Sequence, residues 1–187
     1  MTGVSQINDL IIRETSDHDL SAIATVHESA FGQNEEAVLT INLLADPSAA
    51  PCLSLMATVD GRPAGHILFT KVTITGAEET ISASILAPLA VLPDHQDRGI
   101  GGALIREGLK RLVDDGTDLI FVLGHPGYYP RFGFRPAGAF GLNAPYPIPS
   151  QHADAWMALG LREGPLGTIQ GRVTCADALD KAEYWKE

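Results

Sequence analysis

The sequence Gln96-Asp97-Arg98-Gly99-Ile100-Gly101-Gly102 lies between an apolar stretch and a segment with helical periodicity. Residues 85–92 before it predict a buried strand, and residues 103–115 after it predict an amphipathic helix. Glycine lets the backbone turn sharply and approach a ligand closely. The first turn of a helix carries unpaired N–H groups and a partial positive charge. The strand, the glycine-rich turn and the helix together therefore predict a phosphate-binding site.

The spacing of the glycines excludes two common phosphate-binding motifs. A P-loop ends in Gly-Lys-Ser/Thr, whereas Ala103 follows Gly102 in this chain. A dinucleotide-binding motif that began at Gly99 would need a sixth-position glycine, and Leu104 stands there. That motif also needs an acidic residue to hold a ribose, and the next predicted strand, residues 119–123, is wholly apolar. We therefore set both motifs aside.

The pattern that remains is Gln/Arg-x-x-Gly-x-Gly/Ala, formed here by Gln96, Gly99 and Gly101. A second segment, Tyr129-Pro130-Arg131-Phe132-Gly133-Phe134, follows the strand at 119–123. In this order and spacing the two motifs resemble the acyl-CoA signature and the Tyr-x-x-x-Gly-Phe segment of the GNAT superfamily of N-acetyltransferases. The resemblance extends from about residue 10 to about residue 161, and only these two motifs are specific.

The resemblance implies a fold, a domain organisation and a cosubstrate. The expected fold is α/β (α+β), with a mixed, mostly antiparallel twisted sheet of about six to seven strands and helices on both faces. Residues 1–187 are expected to form one acyl-CoA N-acyltransferase domain, with a core at about 10–161 and a C-terminal extension at 162–187. The implied cosubstrate is acetyl-CoA, without a metal. The residues expected to bind it are Leu89, Ala90, Val91, Gln96, Asp97, Arg98, Gly99, Ile100, Gly101 and Gly102.

The resemblance also implies the reaction, in which a primary amine of a small molecule, peptide or protein attacks the thioester. Tyr129 occupies the position of the family's general acid, and a phenol stays protonated at neutral pH. Many family members carry a glutamate on the fourth strand as the general base, but residues 86–89 hold no carboxylate. The base therefore stays open among Glu28, Glu35, His125 and a water relay.

Two other functions fit the same residues. The missing strand carboxylate is compatible with a non-catalytic acyl-CoA-binding sensor or regulatory module of the same fold. The same pocket would also permit acyl transfer to a hydroxyl group. Thiol release that depends on an added amine separates the enzyme from the module, and the alkali lability of the product separates an ester from an amide.

Composition excludes several classes of protein. A formal net charge of −10 without a Lys/Arg cluster argues against nucleic acid as a partner. No apolar run reaches the ~20 residues that span a bilayer. The first residues lack a basic region followed by an apolar core, so no signal peptide is expected. Cys52 and Cys175 are far apart, which predicts reduced thiols in a cytoplasmic protein rather than a disulfide or a zinc site. A predicted edge strand at 173–176 leaves a homodimer possible.

The rest of the chain yields expectations about single residues. Val38 is expected on the inward face of a helix that Asn34 caps. His66 is expected to be a half-buried strand residue, and His27 to have no functional partner. Arg131 is expected to be a solvated surface charge. Residues 177–187 are expected to form a terminal helix or a loose tail.

Overall fold

The computed structural model describes residues 9–77 and 80–186. Residues 1–8 and 187 of the expected domain, and residues 78–79 of a predicted loop at 76–79, lie outside them. Within the described ranges no helix is both long and apolar enough to cross a membrane.

A mixed, mostly antiparallel sheet with helices on both faces forms the centre of the protein, as predicted. The strands of the described residues are β1 (Leu10–Glu14), β2 (Leu53–Val59), β3 (Arg62–Ile74), β4 (Ala83–Val91), β5 (Leu119–Leu123), β6 (Arg135–Pro136), β7 (Leu142–Asn143), β8 (Trp156–Gly160) and β9 (Gly171–Thr174). The α-helices are α1 (Leu20–Phe31), α2 (Glu35–Ala45) and α3 (Ile100–Asp114). Seven strands lie in the order β1-β2-β3-β4-β5-β8-β6, and β9 joins β3 to β7.

The pairing of β4 changes along its length. Its first residues, Ala83 to Leu86, pair in parallel with Leu119 to Val122 of β5. Beyond Leu86, β4 continues to Val91 paired only with β3, while β5 ends at Leu123 and pairs with β8. The edge of β4 that faces β5 therefore has no strand partner from Ala87 to Val91 among the described residues. Unpaired peptide groups need another partner, which makes this edge a place where a ligand can bind.

The two faces of the sheet carry different helices. Alternate residues of a strand point to opposite faces. Ala90 packs with Ile23 and Val26 of α1, whereas Leu89 and Val91 contact the cluster that contains Ile100 of α3. The carboxyl half of β4 is thus held between α1 and α3.

Helix α3 starts three residues before the predicted position. Ile100 is 1 % exposed and belongs to the core, so it fixes the first turn against the sheet. Gly99 precedes it with φ +80, a left-handed conformation that suits glycine. Asn34 precedes α2 as expected, but the expected inward position of Val38 is wrong because its side chain is 50 % exposed. Leu39 and Leu43, four residues apart, face the core instead.

The C-terminal part of the chain is integrated into the fold. Strand β9 pairs with β3 at Thr73 and Thr174 and with β7 at Leu142 and Gly171, so it is not the free edge that the sequence suggested for a dimer. The last described residues form a 3-10 turn rather than a loose tail, and Trp185 is 1 % exposed with its ring 5.7 Å from that of Trp156.

Candidate functional site

The start of α3 presents unpaired backbone N–H groups to a cavity. The first helical hydrogen bond runs from the Ala103 N–H to the Gly99 carbonyl at 3.0 Å. The N–H groups of Ile100, Gly101 and Gly102 precede it and have no acceptor within the helix. A side chain would fill the space here, since a Cβ on Gly101 would lie 3.0 Å from the Tyr128 hydroxyl. Glycine thus keeps the backbone accessible to a ligand.

This first cavity has a volume of about 510 Å³. Seven of the ten residues expected to bind the cosubstrate line it: Val91, Gln96, Asp97, Gly99, Ile100, Gly101 and Gly102. The Gln96 side chain donates a hydrogen bond to the Val91 carbonyl at 3.0 Å and so ties the turn to the end of β4. Arg98 does not line the cavity, and Ala90 packs on the α1 side of the sheet. Leu89 lines a second cavity.

Two arginines that the sequence did not single out for this site line the first cavity. The Arg106 guanidinium lies 5.2 Å from the centre of the Phe132 ring, and that of Arg131 lies 4.7 Å from the centre of the Tyr128 ring. Neither has a carboxylate partner within residues 9–77 and 80–186. Arg131 is exposed, as expected for a surface charge, and it also borders the cavity. The sequence could have indicated Arg106 as a residue of this cavity. Arg106 follows Gly102 by four residues, so the two lie on the same face of the predicted helix.

The second cavity, of about 490 Å³, lies on the other side of Tyr128, which lines both. Its walls come from the end of α1 and the start of α2, from β4 at Leu89, from the end of β5 and from the C-terminal turn. Val91 lines the first cavity and Leu89 the second. The unpaired edge of β4 therefore leads from one cavity to the other.

Tyr129 lines the second cavity and is 9 % exposed. Its hydroxyl has no hydrogen-bond partner in the part of the chain that the structure describes. Burial, together with the neighbouring Tyr128, raises the pKa of the Tyr129 phenol well above its usual value. The phenol is therefore protonated at neutral pH and able to donate a hydrogen bond to a ligand.

The candidate bases are distributed unevenly around this cavity. Glu35 and His125 line it, whereas Glu28 is exposed on α1 and does not. The Nδ1 atom of His125 accepts a hydrogen bond from the Gly127 N–H at 3.0 Å. In a neutral imidazole the other nitrogen then carries the proton, so no free lone pair is left to accept one. Glu35, which also lines the cavity, has carboxylate oxygens that can accept a proton.

A second polar cluster lies in the core on the α1 side of the sheet. His27 of α1 and His66 of β3 are both 0 % exposed, and His27 Nε2 lies 2.9 Å from His66 Nδ1. His66 Nε2 lies 2.8 Å from the Ser54 hydroxyl, which accepts a hydrogen bond from Thr15. The expectations of a half-buried His66 and an unpartnered His27 are therefore wrong. Their separation of 39 residues along the chain gives no periodic signal.

No group of three or more potential metal ligands occurs within the described residues. The polar groups at the two cavities include backbone N–H groups, guanidinium groups, phenols and carboxylates.

Comparisons with known proteins found a family model, relatives in sequence and similar solved structures. The family model described as an acetyltransferase (GNAT) domain matches residues 11–137. The N-acetyltransferase YjhQ of Escherichia coli K12 is 48 % identical over 164 residues, which cover 87 % of this chain and 90 % of that protein. The crystal structure of E. coli YhbS in complex with CoA has a TM-score of 0.83 and 28 % identity, over 92 % of each chain. A GNAT acetyltransferase of Brucella melitensis in complex with acetyl-CoA has a TM-score of 0.73 and 35 % identity, over 92 % of this chain and 99 % of that one.

Proposed function

Because this chain belongs to the GNAT acetyltransferase family, we propose that it transfers an acetyl group from acetyl-CoA to a primary amine by direct attack on the thioester. Residues 1–187 form one acyltransferase domain in this proposal, and the protein acts in the cytoplasm. One observation carries the mechanism. The unpaired edge of β4 connects the cavity at the start of α3 with the cavity that holds Tyr129.

The first cavity is the proposed site of the CoA diphosphate. The N–H groups of Ile100, Gly101 and Gly102 donate hydrogen bonds to its oxygens, and the partial positive charge of the helix start favours the anion. Arg106 and Arg131 add two positive charges that locally outweigh the formal net charge of −10. These two arginines, rather than Arg98, supply the side-chain attraction in the proposal.

The pantetheine arm lies along the free edge of β4 and pairs with the peptide groups of Leu89 and with the N–H of Val91. The peptide groups of Ala90 face β3, and the Val91 carbonyl already accepts from Gln96, so these groups are not available to the arm. Cavity lining supports this placement, because Val91 borders the diphosphate cavity and Leu89 borders the second one. The thioester then lies at the second cavity beside Tyr129. A backbone N–H of the same edge stabilises the oxyanion that develops on the thioester carbonyl.

Three events complete the transfer. The neutral amine forms a C–N bond with the thioester carbonyl, and the C–S bond breaks. Tyr129 donates its proton to the departing thiolate, which leaves as the CoA thiol. The amine loses a proton to Glu35, which lines the cavity and replaces the missing carboxylate of β4.

The test of this mechanism is the kcat of acetyl transfer by Tyr129→Phe with a panel of amines. Loss of a general acid typically lowers the rate 10²–10⁴-fold, so we expect kcat to fall by about 10²-fold or more. The control is Tyr146→Phe, since Tyr146 donates to the Asp180 carbonyl and does not line the second cavity. An unchanged kcat in Tyr129→Phe across the working pH range would remove Tyr129 from the mechanism.

A second candidate function follows from the absence of a carboxylate on β4 between Leu86 and Leu89. A protein of this fold that binds acyl-CoA without turnover would act as a sensor or regulatory module. Calorimetry with CoA and an assay of thiol release distinguish the two functions. CoA binding without amine-dependent thiol release would favour the module, and amine-dependent release would favour the enzyme.

A further inference from the structure

We propose that the acceptor amine carries a second positive charge, as a diamine does, and that the carboxylates of Glu35 and Glu183 bind that second charge. This inference rests on the proposed function and names the class of its acceptor. In this arrangement one amine of the acceptor loses its proton and attacks the thioester beside Tyr129. The other amine stays protonated at the rim of the cavity.

The charge of the cavity wall is the first observation. Three of the residues that line the second cavity are glutamates, Glu35, Glu36 and Glu183, and no lysine or arginine lines it. An adjoining cavity, also of about 490 Å³, is bordered by Glu35 and Glu183 as well, and it too has no cationic residue in its wall. The two cavities thus share an acidic rim, which attracts a cation and repels an anionic acceptor.

The second observation lies at the other end of the same cavity. Tyr129 is nine-tenths buried there, and its hydroxyl has no partner within residues 9–77 and 80–186. The hydroxyl opens onto the cavity, where a polar group of a ligand can accept its hydrogen bond. The cavity thus offers a hydrogen-bond donor at its inner end and negative charge at its rim.

An aromatic residue also lies at the rim. Tyr184 lines both cavities, and the ammonium group of Lys181 already lies 6.0 Å from the centre of its ring. The attraction for a protonated amine therefore comes from the two carboxylates rather than from the ring. Phe31 provides an apolar wall for the methylene chain that links the two amines.

The three glutamates are not equivalent. The Glu36 carboxylate accepts hydrogen bonds from the Gln33 side chain at 3.2 and 3.3 Å, so part of its capacity is used. Glu35 and Glu183 make no side-chain hydrogen bond or ion pair within the described part of the chain, and both are exposed. They are therefore the carboxylates available to a ligand. Glu35 also lies in the first turn of α2, where a carboxylate stabilises the helix, so its variant needs a check of folding.

The experiment compares three acceptors of the same length: 1,4-diaminobutane, 1-aminobutane and 4-amino-1-butanol. Thiol release from acetyl-CoA gives kcat and KM for each. We expect the wild-type protein to have the highest kcat/KM with the diamine. We also expect this preference to decrease as salt is added, because exposed charges are screened over about 10 Å at 0.1 M.

The variants Glu35→Gln and Glu183→Gln test the two carboxylates. An exposed ion pair contributes up to about 1 kcal/mol, so Glu183→Gln should raise KM for the diamine about two- to fivefold and leave KM for 1-aminobutane unchanged. Glu35→Gln should raise KM for the diamine as well, and it should also lower kcat for every amine because Glu35 is the proposed base. Glu183→Gln is therefore the variant that decides the case. Glu163→Gln, an exposed glutamate outside both cavities, is the matched control. Thermal melting checks that each variant is folded.

The outcomes separate this inference from the proposed function. Equal kcat/KM for the three acceptors, or a KM in Glu183→Gln that changes by the same factor for all of them, would overturn the second charge while leaving the acetyltransferase intact. CoA binding without thiol release from any amine would overturn both.

Discussion

The buried histidine pair predicts that the protein loses stability in mild acid. Burial lowers the pKa of His27 from 6.5 to about 4. Burial, and then the neighbouring His27, lower the pKa of His66 from 6.5 to about 3, an effect that the carboxylate of Asp19 partly opposes. The folded protein therefore keeps both rings neutral at a pH where the unfolded chain binds a proton on each. Stability is present above pH 6.5 and is lost as the pH falls towards 4.

The size of the loss follows from the two pKa values. At pH 5 the unfolded chain has protonated both histidines almost fully, whereas the folded protein has protonated neither to a large extent. Each ring then reduces the free energy of unfolding by about 2 kcal/mol relative to pH 8, or about 4 kcal/mol for both. A typical domain has only about 5–15 kcal/mol in total, so the effect is large. Asp19, whose pKa the side chain of Arg13 holds far below its usual value, does not titrate in this interval.

The assay is urea unfolding at pH 8, 7, 6 and 5, followed by tryptophan fluorescence, since Trp156 and Trp185 are both buried. The double variant His27→Gln/His66→Gln keeps polar groups at both positions but does not titrate, so its stability should vary much less with pH. His152→Gln, an exposed position, is the control and should behave as the wild type does. A wild-type free energy of unfolding that stays constant from pH 8 to pH 5 would refute the reasoning, as would an equal pH dependence in the double variant.

Two further predictions concern the start of α3 and the end of the chain. The variant Gly101→Val places a side chain in the space 3.0 Å from the Tyr128 hydroxyl. Calorimetry should then show CoA binding weakened about 10- to 100-fold, which corresponds to the loss of one charge-assisted hydrogen bond. Gly138→Val is the control because a Cβ there meets nothing within 4 Å, and an unaltered affinity in Gly101→Val would contradict the diphosphate site at the start of α3. The variant Trp185→Ala should lower the free energy of unfolding by about 3–5 kcal/mol, because the Trp185 ring is fully buried against Trp156. A urea titration followed by circular dichroism measures this change. A decrease below about 1 kcal/mol would mean that the C-terminal turn is not part of the core.

The sequence predicted the parts of the fold whose signals are local. The apolar run before Gln96, the glycines after it and the helical periodicity of α3 each act over a few residues. The order of strand, turn and helix could therefore be predicted from them. The start of α3 was misplaced because Ile100 is fixed by contacts with the sheet rather than by its neighbours in the chain. Val38 was misplaced for the same reason, since the face that α2 buries depends on what packs against it.

The parts of the site that the sequence did not reveal depend on contacts between distant segments. Arg131 lines the first cavity only because the turn after β5 brings it over the Tyr128 ring beside α3. His27 and His66 meet because α1 packs across β3. Glu183 reaches the second cavity because Trp185 anchors the C-terminal turn in the core. None of these contacts has a fixed spacing along the chain.

In the proposed mechanism the amides at the start of α3 bind the diphosphate of acetyl-CoA. A crystal structure of the protein with CoA would show whether they do. We expect diphosphate oxygens within about 3 Å of the backbone nitrogens of Ile100, Gly101 and Gly102, with the thiol end of the arm beside Tyr129. Electron density for CoA away from α3, or a diphosphate that contacts none of these nitrogens, would contradict the proposed mechanism.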